Sequence, residues 1–213
     1  MRIAILLFDR VTSLDAVGPY EVLRFAQQAE VVFTGKEVGQ VRAGAGTLGL
    51  MVDKELSEVP SADVLIVPGG PGQVDLMTDT EVLEWLRQVD QTTTWTASVC
   101  TGSLVLAAAG LLRGRKATSH WLALDQLPEF GAEPVEQRVV FDGKYVTAAG
   151  VSAGIDMGFQ LAGRIAGDVA AQYIQLGLEY DPQPLHDAGS PARAPAAIVA
   201  DMRENSHLYL RDT

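Results

Sequence analysis

A single cysteine, Cys100, stands among 213 residues, so the chain has no intrachain disulfide framework, and its three histidines leave no ligand set with zinc-like spacing. Positive charge is scarce too. Sixteen Lys and Arg face 27 Asp and Glu, a formal charge of -11 that would repel a phosphate backbone and an anionic lipid surface alike. Neither nucleic acid nor membrane is an expected partner. Long apolar runs are missing: Ile3 to Phe8 stops at Asp9, too short for a signal segment, and no later stretch reaches the roughly 18 apolar residues of a membrane span. The expected location is the cytoplasm, with the thiol reduced. What remains is an ordinary globular composition, 47% hydrophobic and 20% charged, at a length that fits one domain over residues 1–213.

The run from Arg2 to Phe8 is continuously apolar after its first residue and reads as a strand buried on both faces, the mark of a parallel sheet. Asp63 to Pro68 and Thr92 to Val99 read the same way, with short strands near 30–34, 46–52, 138–141 and 145–149. Between them helical spacing is expected over Leu14 to Phe25, 79–90 and Ser103 to Leu112, then from Ser152 and from Asp168, with Ser152 and Asp168 as N-caps. A proline-rich meander, Asp181 to Pro195, precedes the last helix. Strands alternating with helices predict an α/β class, a flavodoxin-like three-layer α/β/α sandwich around a mostly parallel sheet.

Ligands in such sheets sit beyond the carboxyl ends of the strands, where strand order reverses. Three loops qualify, and they bring Asp15, Gly69-Gly70 and Cys100. Cys100 stands between a buried strand and a helix, the position of a nucleophile elbow, and the following helix start is expected to lower its pKa. Asp15 reads either as a first-turn helix acid or as a carboxyl beside the thiol, protonated and able to donate. Gly150-Val-Ser-Ala-Gly154 matches a serine elbow in form, but neither His186 nor His207 is well placed to complete a triad, and Ser152 is read as an N-cap. His120 reads equally as a base at the rim or as a structural histidine. Neither metal nor nucleotide spacing is present among the acidic residues and glycines.

Several segments together resemble the ThiJ/PfpI superfamily, of the class I glutamine amidotransferase-like type. They are Leu14-Asp-Ala-Val-Gly-Pro-Tyr-Glu-Val-Leu23, Val67-Pro-Gly-Gly70, Ser98-Val-Cys-Thr-Gly-Ser-Leu-Val-Leu106, Ala109-Gly-Leu-Leu112, Ala117-Thr-Ser-His-Trp121, Ala153-Gly-Ile-Asp156, Leu178-Glu-Tyr180 and Ala188-Gly-Ser-Pro191. Within it the chain is most similar to the isonitrile hydratases. The peptidase branch has histidine after its cysteine, where Thr101 stands here, and the deglycase and redox-sensor branch has glutamate near its first helix, where this chain has Asp15. The elbow segment also resembles the sensor domains of AraC-type regulators, whose basic DNA-binding half is not expected here.

The resemblance implies water addition to an isonitrile, giving an N-substituted formamide through a cysteine thioimidate, without metal or organic cofactor. Cys100 would be the nucleophile and Asp15 the acid. Thr101 would position water or orient Asp15, and the backbone N–H groups of Gly70 and Thr101 would face the adduct, with Gly69, His120 and Val151 at the rim. The partner implied is a small isonitrile, and the assembly a homodimer. Another thiol-dependent enzyme of the superfamily, glyoxalase-like or deglycase-like, stays open as an alternative. So does a cysteine oxidation sensor or binding domain.

Overall fold

The computed structural model describes residues 1–26 and 29–210. Its first half runs β1 (Arg2–Leu6), α1 (Ser13–Leu23), β2 (Glu30–Gly35), a hairpin of β3 (Gly39–Arg42) and β4 (Gly49–Val52), β5 (Lys54–Glu55), β6 (Val64–Val67), α2 (Gln73–Leu76), α3 (Thr80–Asp90) and β7 (Trp95–Val99). Then follow α4 (Gly102–Ala108), β8 (Lys116–Ala117), β9 (Glu133–Pro134), β10 (Val139–Asp142), β11 (Tyr145–Ala148), α5 (Ala153–Ala166), α6 (Asp168–Gly177), α7 (Ala196–Glu204) and α8 (His207–Leu210).

Seven strands form one sheet in the order β10-β11-β7-β6-β1-β2-β5. All neighbours are parallel except β10, which runs antiparallel to β11. The period of two in a strand sends alternate side chains to opposite faces, so the continuous apolar runs of β1 and β6 serve two cores. On one face Ala4, Leu6, Leu65 and Val67 pack with Val82, Leu86 and Val89 of α3 and Leu104 and Val105 of α4. On the other, Ile3, Ile5, Val64 and Ile66 pack with Val22 and Leu23 of α1 and Met157 and Leu161 of α5. Strand order reverses between β1 and β6, which opens a crevice at their carboxyl ends.

Helices α1 and α5 approach closely because glycines face their partner: a Cβ at Gly154 would meet Pro19 at 3.3 Å, and one at Gly158 would meet Val22 at 3.0 Å. That contact holds Asp15, in the first turn of α1, at the crevice.

Several boundaries differ from the sequence expectation. The segment near 46–52 supplies β4, which pairs with β3 in a two-stranded sheet of its own instead of joining the main one. Helix α4 stops at Ala108, and Gly110 and Gly114, at φ 82° and 70°, carry the chain through left-handed turns. Phe25 lies beyond the end of α1 and is half exposed. Ser152 does occupy the N-cap position of α5, yet its hydroxyl makes no cap bond and accepts from Arg138 Nη2 at 3.2 Å instead. Asp168 is the first residue of α6, whose N-cap is Gly167.

Candidate active site

Cys100 occupies the turn between β7 and α4 at φ 58°, a left-handed backbone that an L side chain adopts only when its surroundings impose it. Here they do. Its N–H is shared between the carbonyls of Ala148 and Ala149, at 3.0 and 3.2 Å. Its own carbonyl accepts from Ser103 Oγ and Ser119 Oγ, both at 3.2 Å. Glycines make room on either side: a Cβ at Gly102 would lie 2.0 Å from the Val67 carbonyl oxygen, and one at Gly69 would lie 2.5 Å from Thr101 N. Since these are backbone contacts that cannot swing away, Gly102→Ala is expected to destabilise the fold by about 3 kcal/mol or more. Urea unfolding midpoints check this, and a midpoint equal to that of the parent would contradict the close approach.

The thiol does not face outward, as the elbow position suggests. Cys100 is 5% exposed and packs into the core that α1 and α5 cover, beside Asp15, which is fully buried. Asp15 Oδ2 accepts from Gly69 N–H at 3.0 Å, while Oδ1 is buried with no hydrogen-bond partner among the described residues. Burial pushes the Asp15 carboxyl up to about 7, against the opposing pull of the Gly69 N–H and the Cys100 side chain. Burial first, and the Asp15 charge second, push the Cys100 thiol far above its ordinary range. The backbone N–H groups of Thr101 and Val151 act in the other direction, as donors to the sulfur. The expected lowering of the thiol pKa is therefore corrected: a helix start one residue away does not outweigh desolvation next to a carboxylate. Thiol and carboxyl form a coupled pair. With one proton between them they can exist as thiol and carboxylate or as thiolate and acid, and a shift between these forms readies both a nucleophile and a proton donor.

The remaining sequence candidates divide. Gly69 is central rather than peripheral, because its N–H orients Asp15. The N–H of Gly70 is not free to face an adduct: it donates to Thr101 Oγ1 at 3.1 Å. Thr101 thus braces the Gly70 loop and makes no hydrogen bond to Asp15, while its own N–H serves the sulfur. Val151, at φ 25°, turns its N–H to the same sulfur. His120 packs against Gly150, where a Cβ would lie 2.5 Å from His120 Cδ2, and its Nδ1 accepts from Leu122 N–H. Burial holds its pKa below the ordinary value, so it is neutral at pH 7, and it makes no hydrogen bond to Cys100 or Asp15. The serine elbow lacks a triad: His186 and His207 are exposed, and the bond to the Ser152 hydroxyl comes from Arg138.

Sequence reasoning missed Ser119, whose hydroxyl braces the elbow carbonyl, and Arg138, which reaches the start of α5. Ser119 stood inside the Ala117 to Trp121 segment, which was the available signal; nothing local marks Arg138. Two surface clefts, one lined by Arg2, Glu30, Asp63 and Thr92 and one by Phe159, Arg164, Asp168 and Gln172, contain none of the candidate residues. Among the described residues, no group of three or more His, Cys, Asp or Glu could hold a metal ion, and no helix is long and apolar enough to cross a membrane.

Residues 1–164 match the profile of the DJ-1/PfpI family. A Pseudomonas putida protein named isonitrile hydratase is 43% identical over 206 residues, 97% of this chain and 90% of that one. Deglycase PfpI of Pyrococcus furiosus is 28% identical over 150 residues, 70% of this chain and 89% of its own. Among solved structures, a ThiJ/PfpI family protein from Pseudomonas syringae superposes with a TM-score of 0.94 at 36% identity, over 98% of this chain and 87% of that chain.

Proposed function

The chain belongs to the DJ-1/PfpI family, and on that premise we propose that it is an isonitrile hydratase, converting R–N≡C and water to an N-substituted formamide. The observation that carries this reading is the buried Cys100–Asp15 pair, and the similarity to the Pseudomonas putida enzyme supports it.

The terminal carbon of an isonitrile must gain a nucleophile and a proton on the same atom. As the substrate enters, the thiol proton passes to the Asp15 carboxylate, and the Cys100 sulfur, held by the N–H groups of Thr101 and Val151, attacks the carbon. Asp15 then delivers the proton to that carbon, which leaves the thioimidate R–N=CH–S–Cys100. Asp15, again a carboxylate, draws a proton from water as the oxygen adds to the same carbon. Nitrogen is protonated, the C–S bond breaks, and R–NH–CHO leaves with the thiol restored. Atoms and charge balance without any oxidant or cofactor. Access favours this substrate class too, since a linear –N≡C end can reach a thiol that is 5% exposed more readily than a branched carbonyl compound can.

Both one-proton forms of the pair lead to product, whereas the form with thiol and carboxylic acid both protonated lacks the base. Because the Asp15 carboxyl is pushed up to about 7, kcat/KM should rise with pH to a plateau, with half its height near 7. Incubation with an aromatic isonitrile and, separately, with methylglyoxal tests the reading, following formamide and lactate. Formamide with that pH profile is the expected outcome. Lactate without formamide would instead favour the glyoxalase-like or deglycase-like alternative, and neither product would leave the oxidation sensor.

The same reading places the protein in the cytoplasm as a homodimer. Val169, Tyr173 and Leu176 of α6, at 67%, 76% and 77% exposure, line up on one face, and α7 buries no residue. A second copy of the chain would cover them.

A further inference from the structure

Val151 carries a β-branched side chain at φ 25°, and its N–H works against burial to favour the Cys100 thiolate, so some contact must hold this turn against relaxation. Its own neighbours give little purchase. The bonds that follow it, from Ala153 N–H to Gly150 O and from Gly154 N–H to Val151 O, are both 3.3 Å long, and the adjacent Ser152 side chain makes no helix cap.

The restraint comes from outside the turn. Ala149 is gripped from both sides: its carbonyl accepts from Cys100 N–H, and its N–H donates to Arg138 O at 2.9 Å, which continues the β10–β11 ladder by one residue. That pairing sets the Arg138 side chain over the start of α5. There Nε donates to Asp156 Oδ2 and Nη2 to Ser152 Oγ. The other oxygen of Asp156 accepts from Tyr180 Oη at 2.7 Å. Tyr180 is brought back onto α5 by a left-handed turn at Glu179, φ 47°, and stacks on Phe159 with ring centroids 5.1 Å apart. Three separate parts of the chain, the residue before β10, the first turn of α5 and the segment after α6, thus meet beside the turn that carries Val151. Asp156 and Tyr180 both stand in segments that nothing in the proposed chemistry uses.

The geometry points to Arg138, Asp156 and Tyr180 as positioning residues that clamp the first turn of α5 and so keep the Val151 N–H aimed at the Cys100 sulfur. The ion pair crosses from the sheet edge to the helix, and the tyrosine, bound to the second carboxylate oxygen, restrains the carboxylate that meets Arg138 Nε. None of the three touches the reacting atoms. Their effect passes through a single backbone donor, which favours the thiolate when the proton leaves. The clamp deepens the hydration reading and rests on it for its kinetic arm alone.

The test is the rate of Cys100 alkylation by iodoacetamide at fixed pH, with no isonitrile present. A clamp that merely holds the helix down would, when cut, expose the buried thiol and speed alkylation. A clamp that aims a donor slows it, because less thiolate forms. Asp156→Ala is expected to slow alkylation about tenfold, equivalent to about one pH unit in thiol ionisation, and Tyr180→Phe to slow it about threefold with packing kept. Arg138→Lys, which restores the charge without the fork, should fall between the parent and Arg138→Met. With an aromatic isonitrile, kcat should fall in step while KM changes less than about threefold. Should Asp156→Ala prove too unstable to assay by circular dichroism, Tyr180→Phe and Arg138→Lys carry the test. Alkylation at or above the parent rate in folded variants would overturn the clamp. Slowed alkylation in a protein that makes no formamide would sink the hydration reading and leave the clamp standing; the converse pattern would do the reverse.

Discussion

Cys100→Ser is expected to lose at least about 10,000-fold in formamide production while it keeps the parent's fold and melting behaviour. The size follows from the role: when the group that forms the covalent bond is replaced by one that is far less nucleophilic, the two-step route is lost, and only binding and the flanking donors remain. Serine is the informative replacement because Cys100 is buried within a packed core, where alanine would leave a void as well as remove the nucleophile. The serine hydroxyl nearly fills the same space, and it can donate to Asp15 Oδ1, which has no partner among the described residues. Stopped assays for formamide, beside thermal unfolding followed by circular dichroism, decide it. Activity within tenfold of the parent would move the chemistry off this residue, and the Ser152 elbow would be the next to test by Ser152→Ala.

Asp15→Asn should separate proton delivery from nucleophilicity. The amide retains the shape of the carboxyl and can still accept from Gly69 N–H, but it neither takes the thiol proton nor returns it to carbon. Hydration should fall by about 100- to 10,000-fold. Alkylation of Cys100 should move the other way and become faster at neutral pH, because the negative charge that holds the thiol pKa up is gone. A variant that loses both activities together would make Asp15 a structural residue.

Stability supplies an independent reading of the same variant. The Asp15 carboxyl has an ordinary value of 3.8 and is raised to about 7 in the folded protein, so between these values the native state keeps a proton that the unfolded chain has released. The stabilising contribution is full below about pH 4 and is lost as pH rises through about 7. Asn never ionises, and above about pH 8 Asp15→Asn should therefore be the more stable protein, by an amount on the order of 4 kcal/mol at most. Denaturant midpoints at pH 5 and pH 8.5 measure it: the gap between variant and parent should open as pH rises. A gap that stays constant would mean that the carboxyl is not held against its charge, and the coupled pair would lose its basis.

Much of this molecule is legible from residue order. The double-sided apolar runs of β1 and β6 can only be central strands, and a cysteine between such a strand and a helix falls in the turn that joins them, because both patterns are local and the backbone has few ways to satisfy them. Asp15 and the Gly69-Gly70 pair were marked for the same reason, as residues that follow strands whose order reverses. The electrostatic state of the site was not legible. The sign of the thiol shift depends on how deeply α1 and α5 bury the pair, and that depth comes from glycines at 154 and 158, a hundred and more residues away from Asp15. The N–H of Gly70 is taken up by Thr101 Oγ1, and the Ser152 hydroxyl is bound by Arg138 instead of capping α5, pairings that no local pattern marks. The sequence by itself determined which elements form and which loops share one end of the sheet, since propensity, period and turn chemistry act over a few residues. Only the tertiary structure decided which backbone groups reach the sulfur and whether its proton is held, because desolvation and hydrogen-bond partners are set by what packs across the fold.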